Sequence, residues 1–204
     1  MARTRSNTVV VGVDSSDAAR AAVEFAAGYA ARRGLDLRLV HVYEPTVYGV
    51  HPTYGMTTEM SASIRAQAEK VLEEAVEVLS LVHPALRATT RLEAGSPAAA
   101  LLDESATADL LVLGSRGVGG FTDLLVGSTT LHVASHAHCP VVAVPATLDS
   151  SSARHGVVVG VDGSPVSELA IGWAFQLADE WREPLVAVHT WTDPATTGPG
   201  LLLP

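Results

Sequence analysis

Short apolar runs alternate along the chain with longer stretches of helical periodicity. Residues 8–13 (TVVVGV) are a β-branched run with no polar alternation, the pattern of a parallel strand buried on both faces. Ser16 and Asp17 stand where a helix is capped, an alanine-rich stretch follows to Arg33, and Gly34 ends it. Residues 37–42 predict a second strand, and residues 44–57 a loop rich in Pro, Gly, Tyr and Thr. The longest predicted helix covers residues 58–82, with Ile64, Val71, Leu72, Val78 and Leu79 near helical spacing and Pro84 beyond its end. Residues 86–92 predict a third strand. Ser96-Pro97 places an N-cap before a proline at the first helical position and opens a helix to Ala106. Residues 110–113, 128–136 and 141–144 then predict strand, helix and strand. This order defines an α/β fold, a doubly wound parallel sheet with helices on both faces.

The same pattern then begins again. Residues 157–162 read VVVGVD, identical to residues 9–14, and at the same offset Ser164 matches Ser16, Ala170 matches Ala22, Ala174 matches Ala26, Leu185 matches Leu37 and His189 matches His41. A register this consistent marks an internal repeat. The expected organisation is a domain over residues 1–147, a polar linker over 148–155, and over 156–204 a β-α-β portion of a second copy. That portion drifts into TDPATTGPGLLLP without third, fourth or fifth strands. Its strand edges and one helix face would need cover from another surface.

Composition narrows the function. With 48% hydrophobic and 17% charged residues the chain is globular rather than disordered. A formal net charge of −9 argues against a nucleic-acid partner, which needs clustered Lys and Arg. It does not argue against a nucleotide, whose phosphates backbone N–H groups and helix N-termini can hold. The single cysteine, Cys139, gives no sign of an oxidising compartment, and no apolar run approaches the ~20 residues that span a bilayer. The polar start with Arg3 and Arg5 does not resemble a signal peptide, so the expected location is cytoplasmic.

The most informative stretch is GSRGVGGFTDLLVGST, residues 114–129, which leaves the fourth strand and enters a helix at Gly127-Ser128. Glycines permit positive φ and close approach to a ligand. The first-turn N–H groups of Gly127, Ser128 and Thr129 are expected to be unpaired, and the helix dipole favours an anion there. The chain has no GK[ST], which excludes a P-loop, and a dinucleotide fingerprint read from Gly117 puts Thr122 at its third glycine.

Gly114-x2-Gly117-x9-Gly127-Ser128 resembles the G-2x-G-9x-G-S/T motif of ATP-binding universal stress proteins. The resemblance extends over residues 8–146, from the VGVDSS start through His41-Val42 to the closing HAHCPVVAVP. It implies a five-stranded parallel sheet in the order 3-2-1-4-5, with a nucleotide at the carboxyl ends of the strands. Carried over, Gly12, Val13 and Asp14 would meet the nucleoside, with Asp14 suited to a ribose hydroxyl or a phosphate-bound Mg²⁺. Val42 would pair through its backbone with the adenine edge. Gly114, Arg116 and Gly117 would line the ribose and phosphate side, and Gly127, Ser128 and Thr129 the phosphates. The family also implies a homodimer through the fifth-strand edge, Val141–Val144, and a nucleotide-binding stress regulator more than an enzyme.

Other signals carry less. His132 and His136 share a helix face near His138 and Cys139, but a zinc site would need a third or fourth convergent ligand, so no metal site is assigned to the protein alone. His41 and His189 recur at strand ends, where packing is the simpler role. Tyr48, His51 and Tyr54 lie on a loop that could cover the site, a solvent loop being the plainer reading. The sequence shows no Ser/His/Asp or Cys/His arrangement, and no catalytic residue is assigned. An ATPase or nucleotidyl-transfer enzyme on this fold would need Asp14, Asp123 or a histidine to position water or take a proton. A scaffold that binds no nucleotide is the remaining alternative.

Overall fold

The computed structural model describes residues 6–45, 58–117, 126–146 and 156–191. The loop with Tyr48, His51 and Tyr54, the middle of the glycine-rich stretch with Asp123, the linker and the stretch from 192 onward lie outside the described residues. The chain divides into two compact units, Met1–Leu148 and Asp149–Pro204.

The first unit runs β1 (Thr8–Gly12), α1 (Asp17–Arg33), β2 (Asp36–Tyr43), α2 (Thr58–Val82), β3 (Ala88–Ala94), α3 (Pro97–Ser105), β4 (Leu110–Gly114), α4 (Ser128–His136) and β5 (Val141–Val144). Its five strands are all parallel, as the alternation predicts, and lie in the order β3-β2-β1-β4-β5 that the resemblance implies. Val9, Val10, Val11, Leu110, Leu111 and Val112 of the central strands are fully buried, which requires cover on both faces. On one face Val10, Val40, Leu111 and Leu113 pack with Leu101 of α3 and Val133 of α4. α1 and α2 pack on each other and on the sheet.

Local chemistry sets the ends. Ser16 caps α1 by accepting from the Ala19 N–H, and Gly34 closes it in the left-handed region at φ 64°. β3 starts two positions later than the apolar pattern predicts, because the Leu86 N–H bonds back to the His83 carbonyl in the turn that ends α2. β3 is an edge strand, mostly exposed and polar (ATTRLEA), which suits an edge. Its Arg91 and Arg38 of β2 both reach Glu104 of α3, whose side chain is only 2% exposed.

The second unit holds β6 (Val157–Gly160), α5 (Pro165–Trp181) and β7 (Leu185–Val188), with β6 and β7 paired in parallel. The pairing Val157↔Leu185 repeats the register Val9↔Leu37. The local hydrogen bonds repeat as well. Asp162 accepts from the Ser164 N–H as Asp14 does from Ser16, and His189 Nδ1 bonds the Val161 carbonyl as His41 Nδ1 bonds that of Val13. Arg182 takes the left-handed position that Gly34 fills in the first unit. Val158 and Val188 are exposed where their counterparts Val10 and Val40 are buried.

Hydrogen bonds from the Ser164 hydroxyl and N–H hold the Asp162 carboxyl down at about 2. A folded-state value below the ordinary one of ~3.9 means that this interaction supports the unit above that pH. The support is lost as pH falls from there towards 2. An NMR titration of the Asp162 carboxyl is expected to give a midpoint near 2, and Ser164→Ala to move it back towards the ordinary aspartate range. An ordinary midpoint in the unsubstituted protein would contradict the hydrogen bonding seen here.

Candidate functional site

In doubly wound folds ligands collect beyond the carboxyl ends of the strands, where the strand order reverses. Here the reversal falls between β1 and β4, and a cleft of about 600 Å³ opens above it. β1 contributes Gly12 and leads into Val13 and Asp14, β2 contributes His41 and Val42, and β4 contributes Gly114. Arg116 and Gly117, and beside them Gly127, Ser128 and Thr129 at the start of α4, also border it. The ten residues that the resemblance assigns to a nucleotide all border this cleft. Leu101, Leu113 and Pro97 add an apolar floor that no sequence motif announced.

The glycines serve different needs. A Cβ on Gly12 would lie 2.6 Å from Leu113 Cδ2, and one on Gly114 would meet the α1 backbone at 2.9–3.0 Å. Both are therefore required by packing beneath the cleft. A Cβ on Gly117 would lie 2.6 Å from Asp14 Oδ2, so this glycine makes room for a carboxylate. A Cβ on Gly127 would make only ordinary contacts, at 3.6 Å or beyond. The expected positive φ is absent from these positions, since among described glycines it occurs at Gly34, Gly95, Gly156 and Gly163.

One expectation for the phosphate-side donors is corrected. The Gly127 N–H is not an open donor, because it bonds the Ser115 carbonyl at 2.7 Å and closes the loop onto the end of β4. Gly127 is the N-cap of α4 and the helix begins at Ser128. The first-turn N–H groups of Ser128 and Thr129 have no partner within the helix, and α4 adds its dipole there. Thr130 is turned inward, donating from Oγ1 to the Gly114 carbonyl at 2.8 Å.

Asp14 is held by its neighbours. Its Oδ1 accepts from the Ser16 N–H at 2.9 Å and from the Ser16 hydroxyl. The same hydroxyl lies 3.3 Å from the Arg116 carbonyl. Ser16 thus joins the start of α1, the end of β1 and the rim after β4. Sequence reasoning gave Ser16 only its capping role. His41 donates from Nδ1 to the Val13 carbonyl at 2.7 Å, which ties the bend after β1 to the end of β2, and it also borders the cleft. The Arg116 side chain is exposed. Among the described residues no three His, Cys, Asp or Glu converge to hold a metal, and no helix is long and apolar enough to cross a membrane.

The result is a cleft bordered by the start of α4, a carboxylate held by Ser16 and apolar side chains. Fold and cleft together define a doubly wound α/β protein with an open cleft where the strand order reverses. The sequence profile described as the universal stress protein family matches residues 6–145 and 154–204. A universal stress protein of Mycolicibacterium smegmatis is 35% identical over 190 residues, an alignment covering 91% of this chain and 64% of the relative. The chain thus spans just under two thirds of that relative's length. Among solved structures, a universal stress protein from Lactobacillus plantarum is 28% identical with a TM-score of 0.59, over 69% of this chain and 99% of that one. A universal stress protein in complex with cAMP is 30% identical with a TM-score of 0.51, over 69% and 97% of the two chains. The chain belongs to the universal stress protein family.

Proposed function

We propose that the first unit binds an adenine nucleotide in this cleft, that the ligand is ATP with Mg²⁺, and that occupancy regulates dimerisation or a partner contact in a stress response. The observation that carries the reading is that Asp14 and the start of α4, with Ser128 and Thr129, border one cleft together with Val42. The donor set fits the group. Ser128 and Thr129 offer N–H groups and hydroxyls to phosphate oxygens. Asp14 is an acceptor, suited to ribose hydroxyls or a phosphate-bound Mg²⁺ and unsuited to a bare phosphate. Leu101 and Leu113 offer apolar surface to the base. The similar structure described with cAMP supports an adenine ligand. The second unit reads as a partial copy, since it repeats the Asp–Ser and His–carbonyl bonds without a counterpart of α4 among described residues. Dimerisation is assigned to β5 (Val141–Val144), which pairs only with β4 among described strands.

Calorimetric titration of nucleotide-stripped protein with ATP tests this, with Gly127→Ala/Ser128→Ala as the comparison. A methyl at Gly127 meets nothing closer than 3.6 Å, so the variant keeps its fold and loses chiefly the Ser128 hydroxyl and the open backbone approach. Saturable binding in the unsubstituted protein, weakened about tenfold or more in the variant, is the expected result. No heat at millimolar ATP would overturn the assignment.

A further inference from the structure

The exposed face of α4, turned away from the cleft, carries a pair of histidines that neither packing nor the nucleotide site uses. His132 and His136 are four residues apart, which places them on one face of the helix. Both are exposed, and their rings stack with centroids 4.6 Å apart and planes within 27°. Nδ1 of His136 lies 2.9 Å from the His132 carbonyl oxygen. A carbonyl only accepts, so Nδ1 is the donor, and in the neutral ring Nε2 is then the nitrogen able to ligate. A ring N–H bonded to a backbone carbonyl is also the arrangement that orients histidines which ligate metals.

We infer that His132 and His136 form a two-imidazole chelate for a borderline divalent transition metal such as Zn²⁺, with water completing its coordination. Imidazole nitrogen selects zinc, copper and nickel over calcium and magnesium, which prefer oxygen ligands. Two histidines one helical turn apart are a recurrent way of presenting two ligands to one metal ion. The helix supplies the spacing, and binding turns the stacked rings so that one nitrogen of each converges on the ion. With two protein ligands the site is open and exchangeable, unlike the closed four-ligand sites that hold zinc structurally. His138 and Cys139 are not ligands here. His138 lies beyond the end of the helix, where its backbone N–H bonds Ser105 Oγ, and Cys139 is partly buried against the core cluster that includes Leu101 and Val133. The chelate bridges two turns of α4, so a bound ion stabilises the helix whose first turn borders the cleft.

The test uses tag-free full chain, stripped with EDTA and titrated with ZnCl₂ by calorimetry, with thermal unfolding followed in parallel. Saturable binding of one ion per chain is expected, with a rise in Tm that grows with free zinc. His132→Ala and His136→Ala are each expected to weaken binding at least about tenfold, and His138→Ala to leave it unchanged. Both substituted positions are exposed, and circular dichroism of the zinc-free variants confirms that the helix persists. Absence of saturable binding would overturn the inference. So would binding that survives loss of either His132 or His136, or that is lost in His138→Ala.

Discussion

Replacing Arg38 and Arg91 together by methionine is expected to destabilise the first unit by ~3–5 kcal/mol. Glu104 lies on α3 with its side chain 2% exposed, and both of its oxygens are taken. Oε2 accepts from Arg38 at 2.9 Å and Oε1 from Arg91, which also pairs with Glu93 on its own strand. The arginines are on adjacent strands, β2 and β3, with side chains 32% and 47% exposed, so their outer edges keep contact with water. The carboxylate cannot recover water in the same way. Losing both guanidinium groups leaves it buried and uncompensated, whereas losing one leaves a charged hydrogen bond in place. Each single substitution is therefore expected to cost ~1.5–3 kcal/mol, and the effects to be non-additive because the residues share one partner. Adding Glu104→Leu to the double variant is expected to restore much of the loss, since an apolar side chain carries no desolvation penalty there.

Two probes locate the effect. The chain's 3 tryptophans are Trp173, Trp181 and Trp191, all in the second unit, so their fluorescence follows that unit alone. Far-UV circular dichroism follows both. Denaturation in which the dichroism midpoint falls while the tryptophan midpoint holds would place the loss in the first unit. An unchanged dichroism midpoint in the double variant would show that the network contributes nothing.

This network marks the limit of the sequence. Arg38, Arg91 and Glu104 look in one dimension like ordinary solvated charges, and only the sheet order brings them together. The cleft is legible for the opposite reason. Gly114, Gly117, Gly127 and Ser128 sit in a strand–loop–helix context whose spacing resembles the family's nucleotide motif, and Asp14 follows an apolar strand. Their individual tasks were not legible, because a glycine required by a neighbouring backbone and one required by a ligand read alike. Gly114 belongs to the first kind, with the α1 backbone at 2.9–3.0 Å, and Gly117 faces a carboxylate. The closure of Gly127 onto Ser115 and the link from Ser16 to Arg116 depend on contacts across the ends of the strands, to which local periodicity is blind.

That difference between glycines gives the second large effect, which rests on the nucleotide reading. Gly117→Ala is expected to weaken adenylate binding about 10- to 100-fold while leaving the midpoint of unfolding nearly unchanged. The new methyl would fall 2.6 Å from Asp14 Oδ2, the end of a side chain that can swing aside. The movement costs the fold little, but it takes Asp14 from the position in which Ser16 holds it. A charged hydrogen bond of ~1.5–3 kcal/mol to a ribose hydroxyl or an equivalent ligand group would go with it, which is the stated range of affinity. Gly114→Ala is the contrasting case, because its methyl strikes the backbone of Ala18 and Ala19, which cannot rotate away. It is expected to cost ~1–3 kcal/mol of stability as an overpacked site. Calorimetry with ATP and thermal unfolding on both variants separate the two roles. If Gly117→Ala binds as tightly as the unsubstituted protein, Asp14 does not hold the ligand. If it unfolds as early as Gly114→Ala, this glycine too is a packing requirement and not a clearance kept for a functional carboxylate.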